Sequence, residues 1–162
     1  MAKFIYMSRD GIEKLSNELK RLLDVELPLV SQKIATARGY GDIAENAEYD
    51  VAREEMDHLQ RRIARLQDTL SRAQLFDPQG LNPEEVTLLS TVQLQDLKKK
   101  KKITYTLVSA EEVDVEAMRI SIQSPIGRAL VGKKAGDRVT VEVPAGVLDF
   151  KILSVTQGSE RR

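Results

Sequence analysis

The sequence predicts an α+β protein in which an antiparallel coiled-coil hairpin of two long helices precedes a small, mostly-β domain. Apolar residues in the first half recur at helical spacing in two segments, which a short glycine-containing connection joins. After the breaker Asp77-Pro78-Gln79-Gly80 the apolar period becomes that of β-strands. We therefore expect two domains, over residues 1–77 and 78–162.

The first helix is predicted to follow Ser8, a residue type favoured at the N-cap. Steps of four from Leu15 to Leu27 predict a local unwinding of the supercoil. Pro28 lacks a backbone donor, which predicts a kink near Asp24. The apolar positions, spaced by three or four, are Ile12, Leu15, Leu19, Leu22 or Leu23, Leu27, Val30, Ile34 and Ala37.

The second helix shows a cleaner heptad seam. Gaps of four and three alternate along it, as in a coiled coil. At about 30 residues each, both helices are roughly 45 Å long. The short connection around Gly39 and Gly41 forces them to be antiparallel neighbours, with a tip at residues 39–49. The seam positions are Ala52, Met56, Leu59, Ile63, Leu66, Leu70 and Ala73.

The second half alternates short β-rich runs with glycine, proline and charged turns. Strands are predicted within residues 86–97, 103–108, 119–123, 139–143 and 148–155, and a single helical turn over residues 126–131. Five consecutive lysines occupy positions 98–102 between two predicted strands. Two interpretations of this run stay open, a solvated hairpin loop and a phosphate contact.

Composition excludes several classes of function. Twenty-five basic residues balance 25 acidic ones, so the whole chain has no bulk attraction for nucleic acid. Without cysteine it forms no disulfide and no thiolate metal site. His58 is the only histidine, which leaves a transition-metal site without a partner ligand. The N-terminus lacks a signal-peptide run and no stretch is long enough to span a bilayer, so we expect a cytoplasmic protein without a membrane partner.

Asp42 and Glu45 are the candidate functional acids, three residues apart at the tip. One interpretation is a capping box at the start of the second helix. The other is an oxygen site for Mg²⁺ completed by a partner, because hard divalent ions take carboxylates and keep several waters. Seven acids and one base, Arg53, lie between Gly41 and Asp57, which favours a cation between this tip and any phosphate.

Two separated motifs carry a resemblance to a known family. The tip Gly41-Asp42-Ile43-Ala44-Glu45-Asn46-Ala47-Glu48-Tyr49 resembles the signature of the bacterial Gre transcript-cleavage factor family. The block Ser124-Pro125-Ile126-Gly127-Arg128-Ala129-Leu130-Val131-Gly132-Lys133 is similar to a second stretch of that family. The resemblance covers nearly the whole chain.

The resemblance implies a fold and an activity. The second domain is expected to be similar to FK506-binding proteins and to bind bacterial RNA polymerase at its secondary channel. The coiled coil then reaches the active centre of a backtracked complex, where the nascent RNA 3′ end lies. The protein is implied to be a monomer and no enzyme itself, since it stimulates the polymerase's own RNA cleavage.

The same resemblance implies roles for individual residues. Asp42 and Glu45 are the catalytic, metal-holding acids, whose Mg²⁺ is bound only jointly with the polymerase. Asn46 and Tyr49 support the tip. Apart from the resemblance, the charge pattern places a basic patch one or two turns nearer the body, and two interpretations of it stay open, a nucleic-acid contact and an ordinary solvated flank of the coiled coil. The candidate contact residues are Arg53, Arg61, Arg62 and Arg65.

Two further hypotheses use the same sequence. A regulator could occupy the channel and inhibit polymerase without cleavage, but such a protein does not need the two acids. Prolyl isomerisation by the second half is suggested only by its expected fold, and function does not follow from fold. With Tyr105 and Phe150 as its aromatic residues, that half predicts no apolar proline pocket.

Overall fold

The fold is given by a computed structural model that describes residues 3–41 and 46–157. Contacts divide the chain into two compact units. The first contains residues up to Phe4 and Asp10–Ala73, and the second contains Ile5–Arg9 and the residues from Gln74 onward. The first unit is a helical hairpin and the second is mostly β, which confirms the predicted fold class.

The hairpin consists of two antiparallel arms. The first arm comprises α1 (Arg9–Arg21), a π-helical turn (Leu22–Glu26) and α2 (Leu27–Arg38), and the second arm is α3 (Ala47–Arg72). Ion pairs join Glu18 near the start of the first arm to Arg62, and Lys33 near its end to Glu55, at 2.8 and 3.0 Å. Early residues of one arm thus meet late residues of the other, as the short connection predicts.

The predicted apolar seams are the buried faces of the two arms. Every seam position from Ile12 to Ala37 and from Ala52 to Ala73 is buried or half-buried, apart from Leu23. Leu23 is 38% exposed, so the structure selects Leu22 as the seam residue. The most deeply buried members of the seams are Leu15, Val30, Ala37, Ala52, Ile63 and Leu66.

A π-helical turn occupies the place where the sequence predicts an irregularity. The backbone N–H of Leu27 donates to the carbonyl of Leu22, five residues earlier. This wider turn keeps Leu22 and Leu27 on one half-buried face although five positions separate them. Because Pro28 has no N–H, the carbonyl of Asp24 loses its usual helical partner there. The predicted disturbance near Asp24 therefore takes the form of a π turn.

The second unit is built on one five-stranded sheet. Its strands are β3 (Ser90–Asp96), β4 (Lys101–Val108), β5 (Arg119–Ser121), β6 (Arg138–Val143) and β7 (Gly146–Gln157). Their order in the sheet is β5-β4-β3-β7-β6, with β4 and β5 parallel and the other neighbours antiparallel. Because β4 begins at Lys101, the lysine run belongs partly to a strand and not only to a loop.

One face of this sheet carries the core, against which the short helix α4 (Pro125–Leu130) packs. The helix packs very closely against the backbone at the end of β5. A Cβ added to Gly127 would lie only 2.2 Å from the carbonyl oxygen of Ser121. Only glycine fits this approach. The buried core residues are Val86, Val92, Leu94, Leu107, Leu130, Val139, Val141, Phe150 and Ile152.

Residues near the N-terminus belong to this second unit. β1 (Ile5–Met7) pairs with β2 (Ala73–Leu75) in a two-stranded sheet. The backbone N–H of Ser8 donates to Glu112 Oε2 at 3.1 Å, and its hydroxyl donates to Glu112 Oε1. Among the helices described, none is both long and apolar enough to cross a membrane.

Candidate functional site at the end of the helical hairpin

The first arm ends in a tight turn that uses glycine. The N–H of Gly39 donates to the carbonyl of Thr36 at 3.1 Å, and that of Tyr40 donates to the carbonyl of Ala37 at 3.1 Å. Gly41 has φ +113°, a value that L side chains rarely adopt. These bonds satisfy carbonyls that the helix end would otherwise leave unpaired. Tyr40 remains 67% exposed.

Asn46 fixes the start of the second arm to the end of the first. Its Oδ1 accepts a hydrogen bond from the N–H of Tyr49 at 3.1 Å, which makes it the N-cap of α3. Its Nδ2 donates to the carbonyl of Ala37 at 2.6 Å. We call this pair of bonds the Asn46 bridge. It closes the connecting loop between Ala37 and Asn46 with a single side chain.

Tyr49 lies between two arginines beside that bridge. The guanidinium carbon of Arg38 is 5.8 Å from the centre of its ring, and Arg53 Nη1 donates to its hydroxyl at 3.4 Å. Hydrogen bonding to Arg38 first, and then to Arg53, lowers the pKa of Tyr49 below the ordinary tyrosine value. The same contact raises the pKa of Arg53. The side chain predicted to support the tip is thus held by both arms.

The two predicted metal ligands, Asp42 and Glu45, lie outside the described residues. They fall in the sequence between Gly41 and Asn46, within the loop that the Asn46 bridge closes. Asn46, not Asp42, occupies the N-cap position of α3. The capping alternative for Asp42 therefore does not apply to the first turn of α3.

The first turns of α3 carry a strongly acidic surface. Glu48, Asp50, Glu54 and Asp57 are all exposed. Within residues 3–41 and 46–157, none of these four carboxylates forms an ion pair, whereas Glu55 is paired with Lys33. No group of three or more potential metal ligands occurs in the same part of the chain. The surface next to the loop would repel phosphates in the absence of a cation.

The arginines predicted to contact nucleic acid differ in their surroundings. Arg62 makes two bonds of 2.8 Å to Glu18, so its charge is compensated. Arg61 lies 3.4 Å from a ring nitrogen of His58, and Arg53 is engaged by Tyr49. Arg65 is exposed and has no polar partner among the residues that the structure describes. A role of these arginines in nucleic-acid contact stays a prediction.

Each unit also has an apolar groove that the sequence does not predict. A groove of about 600 Å³ in the hairpin is bordered by Leu29 and Val51, which are 52% and 63% exposed. A groove of about 400 Å³ in the second unit is bordered by Tyr105, Val115 and Ile126. The expectation that this half has no apolar proline pocket stays a prediction, since an apolar groove is not by itself a site for proline.

Sequence reasoning missed the contribution of Arg38 to the site. Helical periodicity places Arg38 outside the apolar seam and gives it no role. The signal for Asn46 was stronger, since asparagine is a favoured N-cap and precedes a helical pattern here. Its second bond, to Ala37, joins two arms and could not be read from local sequence.

Comparison with known proteins assigns both halves of the chain to one family. A family model for "Transcription elongation factor, N-terminal" matches residues 5–75. A model for "Transcription elongation factor, GreA/GreB, C-term" matches residues 81–157. Together they cover both units.

Individual relatives match over nearly the whole chain. Transcription elongation factor GreA of Chlorobium phaeovibrioides is 45% identical over 156 residues, 96% of this chain and 98% of the relative. GreA of Amoebophilus asiaticus is 41% identical over 156 residues, 96% and 99% of the two chains. A solved structure of GreA factor homolog 1 (Gfh1) of Thermus thermophilus is 27% identical, covering 94% and 99%, with a TM-score of 0.45. Because that TM-score is low, the assignment rests on the sequence matches.

Proposed function

Because this chain belongs to the GreA/GreB family of transcription elongation factors, we propose that it rescues arrested RNA polymerase. It binds the polymerase at the secondary channel through its second unit. Its hairpin stimulates the polymerase's intrinsic Mg²⁺-dependent cleavage of nascent RNA in backtracked complexes. Cleavage creates a new RNA 3′ end in the active centre, from which synthesis resumes.

The Asn46 bridge is the observation that best supports this proposal. A loop that donates ligands to a partner's active centre must be positioned before it arrives, since a loosely held ligand costs entropy on binding. The 2.6 Å bond from Asn46 to Ala37 fixes both ends of the loop that contains Asp42 and Glu45. Arg38 and Tyr49 add a contact between the arms next to it.

The chemistry of the two acids suits the proposed ion. Carboxylate oxygens are the hard ligands that Mg²⁺ prefers, and this ion usually keeps several waters and takes one or two protein carboxylates. Asp42 and Glu45 would be these ligands, with the polymerase and its RNA supplying the rest. When bound, the ion supplies electrostatic stabilisation of phosphoryl transfer and activation of water. The exposed acids of α3 repel phosphate and so favour a tip that binds only through a cation.

On this proposal the protein is not itself an enzyme. Two carboxylates from one chain leave a metal site incomplete, and the polymerase holds the substrate and the first ion. The factor contributes ligands, orientation of the attacking water and the length needed to reach the centre. Its partners are the polymerase and the nascent RNA 3′ end, and it acts as a monomer in the cytoplasm.

The test uses stalled, backtracked polymerase with RNA labelled at its 5′ end. The wild-type protein with Mg²⁺ is expected to shorten the RNA from its 3′ end. The double variant Asp42→Asn/Glu45→Gln removes both charges and is expected to abolish cleavage while still co-migrating with polymerase. Equal cleavage by this variant would overturn the proposal.

A matched control variant separates ligand loss from general charge loss. Asp50→Asn/Glu54→Gln removes the same charge from exposed positions on α3. It is expected to cleave at a rate within about a factor of three of wild type, since exposed charges near a site mainly alter association. A wild-type protein that binds polymerase and slows nucleotide addition without cleavage would establish the inhibitor alternative instead.

A further inference from the structure

The β3–β4 hairpin of the second unit carries a concentrated positive charge that the proposed function does not use. Residues 98–102 are all lysine, and all five are exposed. Lys98 Nζ donates to the carbonyl of Val147 at 2.6 Å. The other four side chains form no ion pair with any residue that the structure describes. We call Lys99, Lys100, Lys101 and Lys102 the lysine hairpin.

The acids nearest to the lysine hairpin are already engaged. Asp96 is 5% exposed, and its Oδ1 accepts the backbone N–H groups of Lys98 and Lys99 at 2.9 and 3.0 Å. Asp149 binds the guanidinium of Arg138, with 2.9 Å between Oδ1 and Nε. The first contact orders the turn and the second neutralises an arginine, so neither carboxylate forms an ion pair with the lysine hairpin.

The turn itself carries lysine where another residue would fit better. Lys100 has φ +56°, in the left-handed region that glycine and asparagine adopt with less strain. Its N–H donates to the carbonyl of Asp96 at 2.7 Å, which holds this conformation. A lysine at a strained turn position favours a role for its charge over a role in folding.

The sheet extends the charge beyond the hairpin. The register pairs Lys102 with Gln95, Gln95 with Lys151, and Lys151 with Arg138. Residues directly opposite each other in antiparallel strands lie on the same face. Lys102 and Lys151 are therefore two strands apart on one face, about 10 Å from each other at the usual strand spacing.

The next row of this face indicates the kind of partner. It consists of Gln93 opposite Thr104 and Ser154, which can hydrogen-bond to phosphate or sugar. Neither row contains an aromatic side chain, on which single-stranded bases would stack. A set of exposed lysines beside neutral hydrogen-bonding groups, without aromatic side chains, suits a duplex backbone better than a single strand.

We propose that the lysine hairpin, with Lys151 and the polar sheet face beside it, binds the phosphate backbone of duplex nucleic acid without sequence preference. This inference is independent of the cleavage function, because it concerns a different unit and different residues. DNA and RNA duplexes share the recognised phosphates, so both are used as probes.

The experiment measures fluorescence anisotropy of labelled DNA and RNA duplexes of random sequence with the full-length protein at several salt concentrations. Each lysine that neutralises a phosphate steepens the dependence of log K on log salt by about 0.9 for duplex DNA. The variant Lys99→Gln/Lys100→Gln/Lys101→Gln/Lys102→Gln is expected to give a slope shallower by about 3 to 4. Lys98 is left unchanged because it holds the carbonyl of Val147.

The control variant removes the same charge at exposed lysines outside the hairpin, namely Lys3, Lys14, Lys20 and Lys133, each changed to glutamine. It is expected to keep the wild-type slope within about one unit. Circular dichroism melting of all three proteins shows whether each is folded. An unchanged slope in the hairpin variant, or an equal loss in the control, would overturn the proposal. Displacement of the duplex by polyglutamate at matched charge would also overturn the proposal, because it would indicate an acidic protein as the partner.

Discussion

Replacing Asn46 by alanine is expected to destabilise the hairpin at the candidate site. The change removes the N-cap acceptor for Tyr49 and the donor to Ala37. Loss of an N-cap typically costs about 1 kcal/mol. Loss of a neutral hydrogen bond costs about 1 kcal/mol more, since the buried carbonyl of Ala37 still accepts the N–H of Tyr40. We expect a decrease of about 2 kcal/mol in the free energy of unfolding of this unit.

The variant Asn46→Asp separates the two bonds. Aspartate retains an N-cap acceptor and its charge is favourable at a helix N-terminus, but it cannot donate to Ala37. We therefore expect the free energy of unfolding of Asn46→Asp to be about 1 kcal/mol below that of wild type, and so above that of Asn46→Ala. Aspartate and alanine variants of equal stability would show that the cap contributes nothing.

Urea denaturation followed by helical circular dichroism measures these differences, provided that the hairpin unfolds in one transition. Amide hydrogen exchange at Tyr49 adds a local measurement, because its N–H loses its acceptor only in Asn46→Ala. Wild-type stability and wild-type exchange in Asn46→Ala would refute the reasoning that this side chain fixes the loop. In the RNA cleavage assay, a loosened loop is expected to slow cleavage without loss of polymerase binding.

Three further changes test other parts of the structure. Gly127→Ala is expected to cost about 2 kcal/mol or more, measured as a lower urea midpoint, because its Cβ would lie 2.2 Å from the backbone oxygen of Ser121. Tyr49→Phe should remove a tyrosinate absorbance transition that lies below the ordinary tyrosine pKa. Because the folded-state pKa of Tyr49 is lowered, its ionised form adds stability only as pH rises through that pKa, and this contribution is lost as pH falls back to neutral. A double-mutant cycle of Arg62→Gln and Glu18→Gln should give a coupling energy of about 0.5 kcal/mol, because both side chains are more than a third exposed. Added salt is expected to weaken this coupling, and a coupling energy above about 2 kcal/mol would contradict a surface ion pair.

The sequence determined the hairpin and the class of the second unit because both depend on local periodicity. Apolar residues spaced by three and four form one face of a helix, whatever the rest of the chain does. The short glycine-containing connection makes the two arms antiparallel neighbours, so each buries its apolar face against the other. The two acids at the tip and the motifs around them also identify the family from sequence alone. These features need no knowledge of distant contacts.

Tertiary structure decided the features that depend on partners far apart in the chain. Periodicity left Leu22 and Leu23 equivalent, and only the π turn before Pro28 selected Leu22. The pairing of β1 with β2 and the sheet order β5-β4-β3-β7-β6 follow from long-range packing that no local pattern encodes. Asn46 could be recognised as a cap, but its bond to Ala37 exists only because two antiparallel arms bring a side chain of one to a carbonyl of the other.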